Sequence, residues 1–473
     1  MANAKIFSPS DIDRFAEISG DYSPLHCDRD YARKTMYGEP VVHGILGILE
    51  CLKNHGKRIS YLEAQFLKPM FCSIPYQVSE KEILDGNTKM LKFKTKSSEE
   101  NCDYTQASYI CSQSASKNSQ AKDMGIAEIL EKQPFEGVYS AGIDNALHSV
   151  LFWSSWFIGM EVPGKQALYS KLELKLEPHE KIAIPFGYKV SIEEYHEKFN
   201  LLRMRFELHS QDKIFASGAL EAFIRPKISP AIYQKSALPL EMQNKFSGKT
   251  ALVTGASRGF GAAVAQVLAA MGANIYINFQ RSLAEALDLQ KAIEEQGGKA
   301  ELLQCDISEV AKLNRDVDIL VLNAAPSALA LPLSLDYSSA DRMQSYISTA
   351  FSYVFSPLSA FANSLNKNSG YCLIVSSGYL DSIEPEFPHY LCSKAAIEML
   401  GVYAAKKYKS TKYLIVRPPK MLTDMSNSAA GNANAANPLE IAEKACEKLL
   451  ESKEGYAQIF SVDSEKGEKL CLK

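Results

Sequence analysis

The stretch KTALVTGASRGFGAAVAQVLAAM, residues 249–271, decides the fold of the second half of the chain. Residues 251–254 are apolar or β-branched and read as a buried strand, and they run straight into a turn carrying Gly255, Gly259 and Gly261. Residues 262–271 are small and apolar with no glycine or proline, as a buried helix requires. A strand, a glycine turn and a helix in that order let backbone N–H groups approach an anion. The helix N-terminus adds free donors and a favourable dipole. Working outward, β-rich runs at residues 274–278, 319–322, 372–376 and 413–416 alternate with helical stretches. That alternation predicts βαβ units around a parallel sheet, an α/β domain over residues 246–473.

Within this block, YLCSK at residues 390–394 places Tyr390 and Lys394 four apart, on one face of a helix. An ammonium beside a phenol favours the phenolate and makes the tyrosine a proton donor near neutral pH. Ser377 lies thirteen residues upstream, just beyond a strand, where its hydroxyl can hold a substrate carbonyl.

Residues from about 248 to 465 resemble the short-chain dehydrogenase/reductases, a Rossmann-type doubly wound family. The resemblance rests on Thr254, Gly255, Ser257, Gly259 and Gly261 in the loop, on Asp306 in LQCD and Asn323 in NAA, and on RPP at residues 417–419 with Thr423. It implies Ser377, Tyr390 and Lys394 as the catalytic set, and the loop residues, Asp306, Asn323, Lys394 and Thr423 as cofactor contacts. Users of NAD in this fold carry an acid after the second strand to hold the ribose hydroxyls. Here that position reads NFQR, residues 278–281, without an acid, and Arg258 stands inside the loop. Arg258 and Arg281 suit a 2′-phosphate, so NADP(H) is the expected cofactor. The chain departs from the family in three places. The asparagine on the helix before the catalytic strand is replaced by the region of Ser348 and Ser352, the interval from Asp306 to Asn323 is short, and Pro419 stands for a glycine.

The first half divides at two polar stretches, residues 113–133 and 228–245, which read as linkers. The intervening blocks, residues 1–113 and 134–227, share an order of features. Each has a helix, a strand ending in proline (EAQFLKP at 63–69, LELKLEP at 172–178), then Ile-Pro (74–75 and 184–185) opening long strands. Such self-similarity predicts two copies of one α+β unit. The first copy holds GDYSPLH at residues 20–26, where Asp21 and His26 could share one water between them as acid and base.

Residues 10 to about 112 resemble the MaoC-like, (R)-specific enoyl-thioester hydratases, which have a hot-dog fold. Gly20, Asp21, Pro24, Leu25, His26 and Ala32 match their signature, followed by Tyr37, VVHG at 41–44 and FLKP at 66–69. The resemblance makes Asp21 and His26 catalytic and gives the Gly44 N–H, at a helix N-terminus, to the thioester carbonyl. Ser23 stands where the family has asparagine and keeps a hydrogen-bonding group. The second copy looks like a degenerate hot dog: DNALH at 144–148 lacks the Gly-Asp and Pro framing and reads as structural. A double hot dog followed by a Rossmann domain is therefore expected.

Bulk composition narrows the partners. The 473 residues carry a net charge of -3, which gives no electrostatic reason for nucleic acid or an anionic membrane as partner. Ten scattered cysteines without a C-x-x-C pair read as reduced thiols in a cytoplasmic protein with no metal site. The longest apolar run, residues 149–160, is too short to span a bilayer and reads as a buried helix. Together these readings predict a 3-oxoacyl-thioester reductase joined to a (3R)-hydroxyacyl-thioester dehydratase. Its substrate would ride on acyl carrier protein or CoA, and the reductase block is a candidate route to a homo-oligomer. Two alternatives stay open: the reverse hydration and oxidation on CoA thioesters, and a double hot dog that only binds acyl chains or carrier, beside an active reductase or in a pseudo-enzyme.

Overall fold

The computed structural model describes residues 4–53, 55, 57–78, 82–85, 88–101, 119–141, 145–178, 182–227, 232–307, 309, 315–327, 340–383, 387–427, 432, 434–463 and 467–472. The chain divides into two compact units, with the break at residues 227–228.

The first unit is built on one ten-stranded sheet. Its strands are β1 (Ala4–Ile6), β2 (Lys57–Phe66), β3 (Pro75–Val78), β4 (Glu82–Asp85), β5 (Thr88–Asn101), β6 (Phe135–Tyr139), β7 (Ala167–Leu176), β8 (Phe186–His196), β9 (Leu201–Ser210) and β10 (Lys213–Ile224). Their spatial order is β1-β3-β4-β5-β2-β7-β10-β9-β8-β6, which runs as the same succession from either end. The two proline-ended segments seen in the sequence are β2 and β7, and they meet at the centre, pairing antiparallel from Tyr61↔Lys175 to Gln65↔Lys171. That join sets Glu63 directly opposite Glu173, a repulsive cross-strand pair. Lys171 bridges the two carboxylates and relieves the repulsion.

Helices α1 (Pro9–Ser19), α2 (Pro24–Cys27), α3 (Arg29–Ala32) and α4 (Gly44–Leu52) belong to the first copy; α5 (Ile126–Lys132) and α6 (Ala146–Trp156) to the second. α1 begins with a capping box between Ser8 and Asp11 and ends at Gly20, whose φ of 74° turns the chain sharply into Asp21. α6 is apolar around nearly its whole circumference because it is buried within the unit, and it widens into a π-helical turn, Phe157–Glu161. The apolar run at 149–160 is thus a core helix. The first expected linker contains a helix, since α5 buries Ile129 and leads directly into β6.

The second unit carries an eight-stranded sheet of β11 (Thr250–Val253), β12 (Asn274–Phe279), β13 (Lys299–Gln304), β14 (Ile319–Leu322), β15 (Tyr371–Val375), β16 (Lys412–Arg417), β17 (Ala457–Asp463) and β18 (Gly467–Leu472). The order is β13-β12-β11-β14-β15-β16-β17-β18, parallel except for the last pair. β13, β17 and β18 extend the sheet beyond the four runs plus the first strand read from the sequence. Apolar side chains fill both faces, one beneath α7 (Gly259–Ala270) and α8 (Leu283–Glu295), the other beneath α9 (Ala340–Lys367) and α11 (Pro388–Lys407), with α10 (Tyr379–Ser382) between β15 and α11. The second expected linker is largely part of this unit, because Tyr233, Leu238 and Met242 are buried in the core that holds α7. Strand order reverses between β11 and β14, and ligands of such sheets sit at the carboxyl ends of those strands. Among the described residues no helix is long and apolar enough to cross a membrane.

Candidate functional site

Two constellations stand out, one in each unit. In the second unit the turn after β11 enters α7 with Gly255 and Gly259 at φ of 61° and 59°, a region closed to most side chains. Asn323, at the end of β14, donates from Nδ2 to the carbonyls of Thr254 and Gly255, 3.1 Å each. A methyl group on Gly261 would lie 2.5 Å from that same Nδ2. Thr254 completes the brace, its Oγ1 accepting from the N–H groups of Asn323 and Ala324. The cradle at the helix N-terminus is thus kept open by glycines and held rigid by β14, which suits a dinucleotide pyrophosphate. A methyl group on Gly259 would lie 3.7 Å from the Thr423 side chain. Arg258 lies beside the loop with Nη1 3.1 Å from Asp424 Oδ2. Ser257 lies in the loop itself, between Ala256 and Arg258. Arg281 is exposed next to Gln280, which donates to Asp306 at 2.7 Å.

At the end of β15, Ser377 and Tyr390 converge: the serine hydroxyl bonds the partly buried phenol and favours its ionised form, although desolvation as the larger influence holds the phenol above its usual range. Lys394, one turn on, places Nζ 5.5 Å from the Tyr390 ring and donates to the Val375 carbonyl at 2.9 Å. Burial depresses its ammonium to about 8, opposed by Glu398. The sequence expectation that the ammonium sets the phenol's acidity is thus outweighed by desolvation of the phenol. Ser348 is exposed, and Ser352 spends its hydroxyl on the Thr349 carbonyl within α9. Neither stands in for the missing asparagine. Residues 308 and 310–314, within the shortened interval, lie outside the described residues.

In the first unit, Asp21, Ser23, His26 and Gly44 line a common cavity of about 280 Å³ with Phe66, Tyr169 and Ile158. His26 donates from Nδ1 to the Val41 carbonyl at 2.6 Å, which leaves Nε2 unprotonated in the neutral ring. Burial pushes the Asp21 carboxyl up and the His26 imidazole down, and in each case the charge of the other opposes the shift. The Asp21 carboxylate accepts from the Ser23 N–H at 3.1 Å and from Ser155 Oγ at 2.6 Å. The backbone of Ser23, rather than its side chain, therefore makes the contact with Asp21.

Three participants were not picked out from the sequence. Ser155 and Gly159 come from the second copy; a methyl group on Gly159 would lie 2.4 Å from Asp21 Oδ1. His43 stacks on His26 at 3.9 Å between ring centroids and donates from Nε2 to the Asp21 carbonyl at 3.1 Å. Donor atoms of Asp21, His26 and His43 all fall within 4.8 Å of one another. For His43 the signal was present, adjacent to Gly44. For Ser155 and Gly159 there was none, because they sit in a segment with no signature of its own. In the second copy, Asn145 caps α6 by accepting from the His148 N–H, and burial lowers His148 to about 4. Asp144 lies outside the described residues.

Comparison with known proteins finds matches in the second unit and at the start of the first. Residues 249–434 match the short chain dehydrogenase family model, and residues 2–49 match the MaoC like domain. An NADPH-dependent aldehyde reductase-like protein of Arabidopsis thaliana is 30% identical over 206 residues, 38% of this chain and 74% of its own length. A 3beta-hydroxysteroid dehydrogenase of Eggerthella lenta is 30% identical over 179 residues, 35% of this chain and 67% of its own. Among solved structures, an NADP-bound 3-oxoacyl (acyl-carrier-protein) reductase from Agrobacterium tumefaciens is 22% identical, with 48% of this chain and 97% of that chain covered and a TM-score of 0.41. Through its second unit the chain belongs to the short-chain dehydrogenase family, and a MaoC-like domain precedes it at the N-terminus.

Proposed function

We propose that the chain reduces a 3-oxoacyl thioester with NADPH and dehydrates the resulting (3R)-hydroxyacyl thioester to the trans-2-enoyl product. The observation that carries this reading is the convergence of Ser377, Tyr390 and Lys394 in the unit that carries the glycine cradle, joined in one chain to the Asp21–His26 pair. The bound nicotinamide would supply hydride to the carbonyl carbon. Ser377 holds the carbonyl oxygen and Tyr390 delivers the proton to it, while Lys394 holds positive charge beside the phenol. Gly255, Ser257, Gly259, Gly261, Asn323 and Thr423 would hold the cofactor, with Asp306 on the adenine side and Arg258 and Arg281 as donors to a 2′-phosphate. In the hot dog, Asp21 and His26 together take the C2 proton and return one to the departing C3 hydroxyl, which leaves as water. The Gly44 N–H, at the start of α4, stabilises charge developing on the thioester carbonyl.

The NADPH-dependent relative from Arabidopsis thaliana and the missing acid after β12 support the cofactor choice. The substrate class rests on the pairing of the two families, since they handle one intermediate in succession. The test is turnover of an acetoacetyl thioester with NADPH, followed by absorbance at 340 nm and product chromatography. The expected products are NADP and an enoyl thioester. Accumulation of the 3-hydroxy compound would reduce the hot dog to a binding module, and no oxidation of NADPH would overturn the reductase reading.

A further inference from the structure

One largely buried ion pair borders Lys394, and so far only its carboxylate has entered, through its charge. Glu398 sits one helical turn beyond Lys394 on α11 and is buried. Both of its carboxylate oxygens take a nitrogen of Arg417, Nε to Oε1 and Nη2 to Oε2, each at 2.7 Å. The same Oε1 accepts from Ser376 Oγ at 2.6 Å. Arg417 closes β16, and its remaining nitrogen Nη1 donates to Asp381 of α10 at 2.6 Å. Asp381 in turn accepts from Ser461 of β17 at 3.0 Å.

The network therefore ties the catalytic helix to the ends of three strands. Ser376 immediately precedes Ser377, and Arg417 immediately precedes Pro418, whose carbonyl accepts from the Gly378 N–H at 2.9 Å. We infer that Glu398 and Arg417 are positioning residues of the reductase, a clamp that fixes Ser377 against Tyr390 and Lys394. A buried pair of this kind is a weak source of stability, because two apolar side chains of similar volume commonly hold a fold as well. What a two-pronged guanidinium–carboxylate contact gives that an apolar pair does not is direction. Here that direction is needed where the serine and the lysine must meet one substrate. The charges around Lys394 fit this role. Tyr390 and Glu398 on its own helix, Tyr379 and Asp381 on α10, and Arg417 on β16 are the ionisable groups of the cluster. Of these, Glu398 supports the ammonium.

The inference rests on the reductase reading, and its test separates the two. Wild type, Glu398→Gln and the paired Glu398→Met/Arg417→Met variant are compared as full-length protein for NADPH-dependent reduction of an acetoacetyl thioester, NADPH affinity and melting temperature. The paired variant is expected to keep its fold and its NADPH affinity, and to lose kcat on the order of 100-fold, as a misplacement of about 1 Å does. Glu398→Gln is expected to lose less kcat and to move the alkaline limb of the rate to lower pH, because Lys394 loses the carboxylate that favours its charged form. Wild-type kcat and an unmoved limb in Glu398→Gln, or wild-type kcat in a folded paired variant, would overturn the clamp. If the paired variant does not fold, the Glu398→Gln rate and limb decide alone. An inactive wild type would overturn the reductase reading and the clamp with it.

Discussion

At Lys394 a single charge is balanced between burial, which expels it, and Glu398, which keeps it, with the ammonium ending at about 8. A lysine is cationic below its pKa, so the form that assists Tyr390 is present at neutral pH and lost as pH rises through 8. Reduction should therefore show an alkaline limb near that value in kcat/KM for NADPH, which reports the free enzyme. A rate flat to pH 10 would contradict the assignment of Lys394. At Asp21 the decisive partner is Ser155, whose hydroxyl is bonded to a buried carboxylate. Hydrogen bonds to charged groups are worth about 1.5–3 kcal/mol. Ser155→Ala should thus slow dehydration roughly 10- to 100-fold, measured with a 3-hydroxybutyryl thioester, while leaving NADPH oxidation untouched.

Elements place these residues. The π-helical turn at Phe157–Glu161 follows α6 and brings Gly159 under Asp21, with Ser155 one turn earlier on the same side of the helix. Any side chain at 159 would press on a carboxylate already held by Ser155 and the Ser23 N–H. Gly159→Ala is expected to displace Asp21 and lower dehydration on the order of 100-fold, with an unchanged reductase rate as the internal control. Equal loss of both activities would point to a general folding defect instead. The glycine turn before α7 was legible as an element because its residues answer to a local need, a left-handed backbone close to a ligand. The shape of α6 was legible only as a buried helix; its final widened turn depends on what packs around it.

At the scale of the molecule, the two sites lie in different compact units. Each step should then be removable without the other: Tyr390→Phe stops reduction and Asp21→Asn stops dehydration, each by about 10²-fold or more. Mixing the two variants should restore conversion of the 3-oxoacyl thioester to the enoyl product, since the hydroxy intermediate made by one can diffuse to the other. Failure of the mixture, with each single step confirmed active, would mean that the intermediate is not released.

The sequence by itself determined what depends on neighbours along the chain. The glycine loop, the Tyr390–Lys394 spacing, the GDYSPLH loop and the repeat of proline-ended strands are all local patterns, and periodicity and turn chemistry are local physics. Only the tertiary structure decided which distant groups share a charge or a proton. It placed β2 against β7 and set Ser155 and Gly159 of one copy against Asp21 of the other. It also locked Arg417 onto Glu398, nineteen residues earlier and on another element. Such contacts arise from burial, where desolvation forces polar groups to find partners across the fold, and no spacing in the chain announces them.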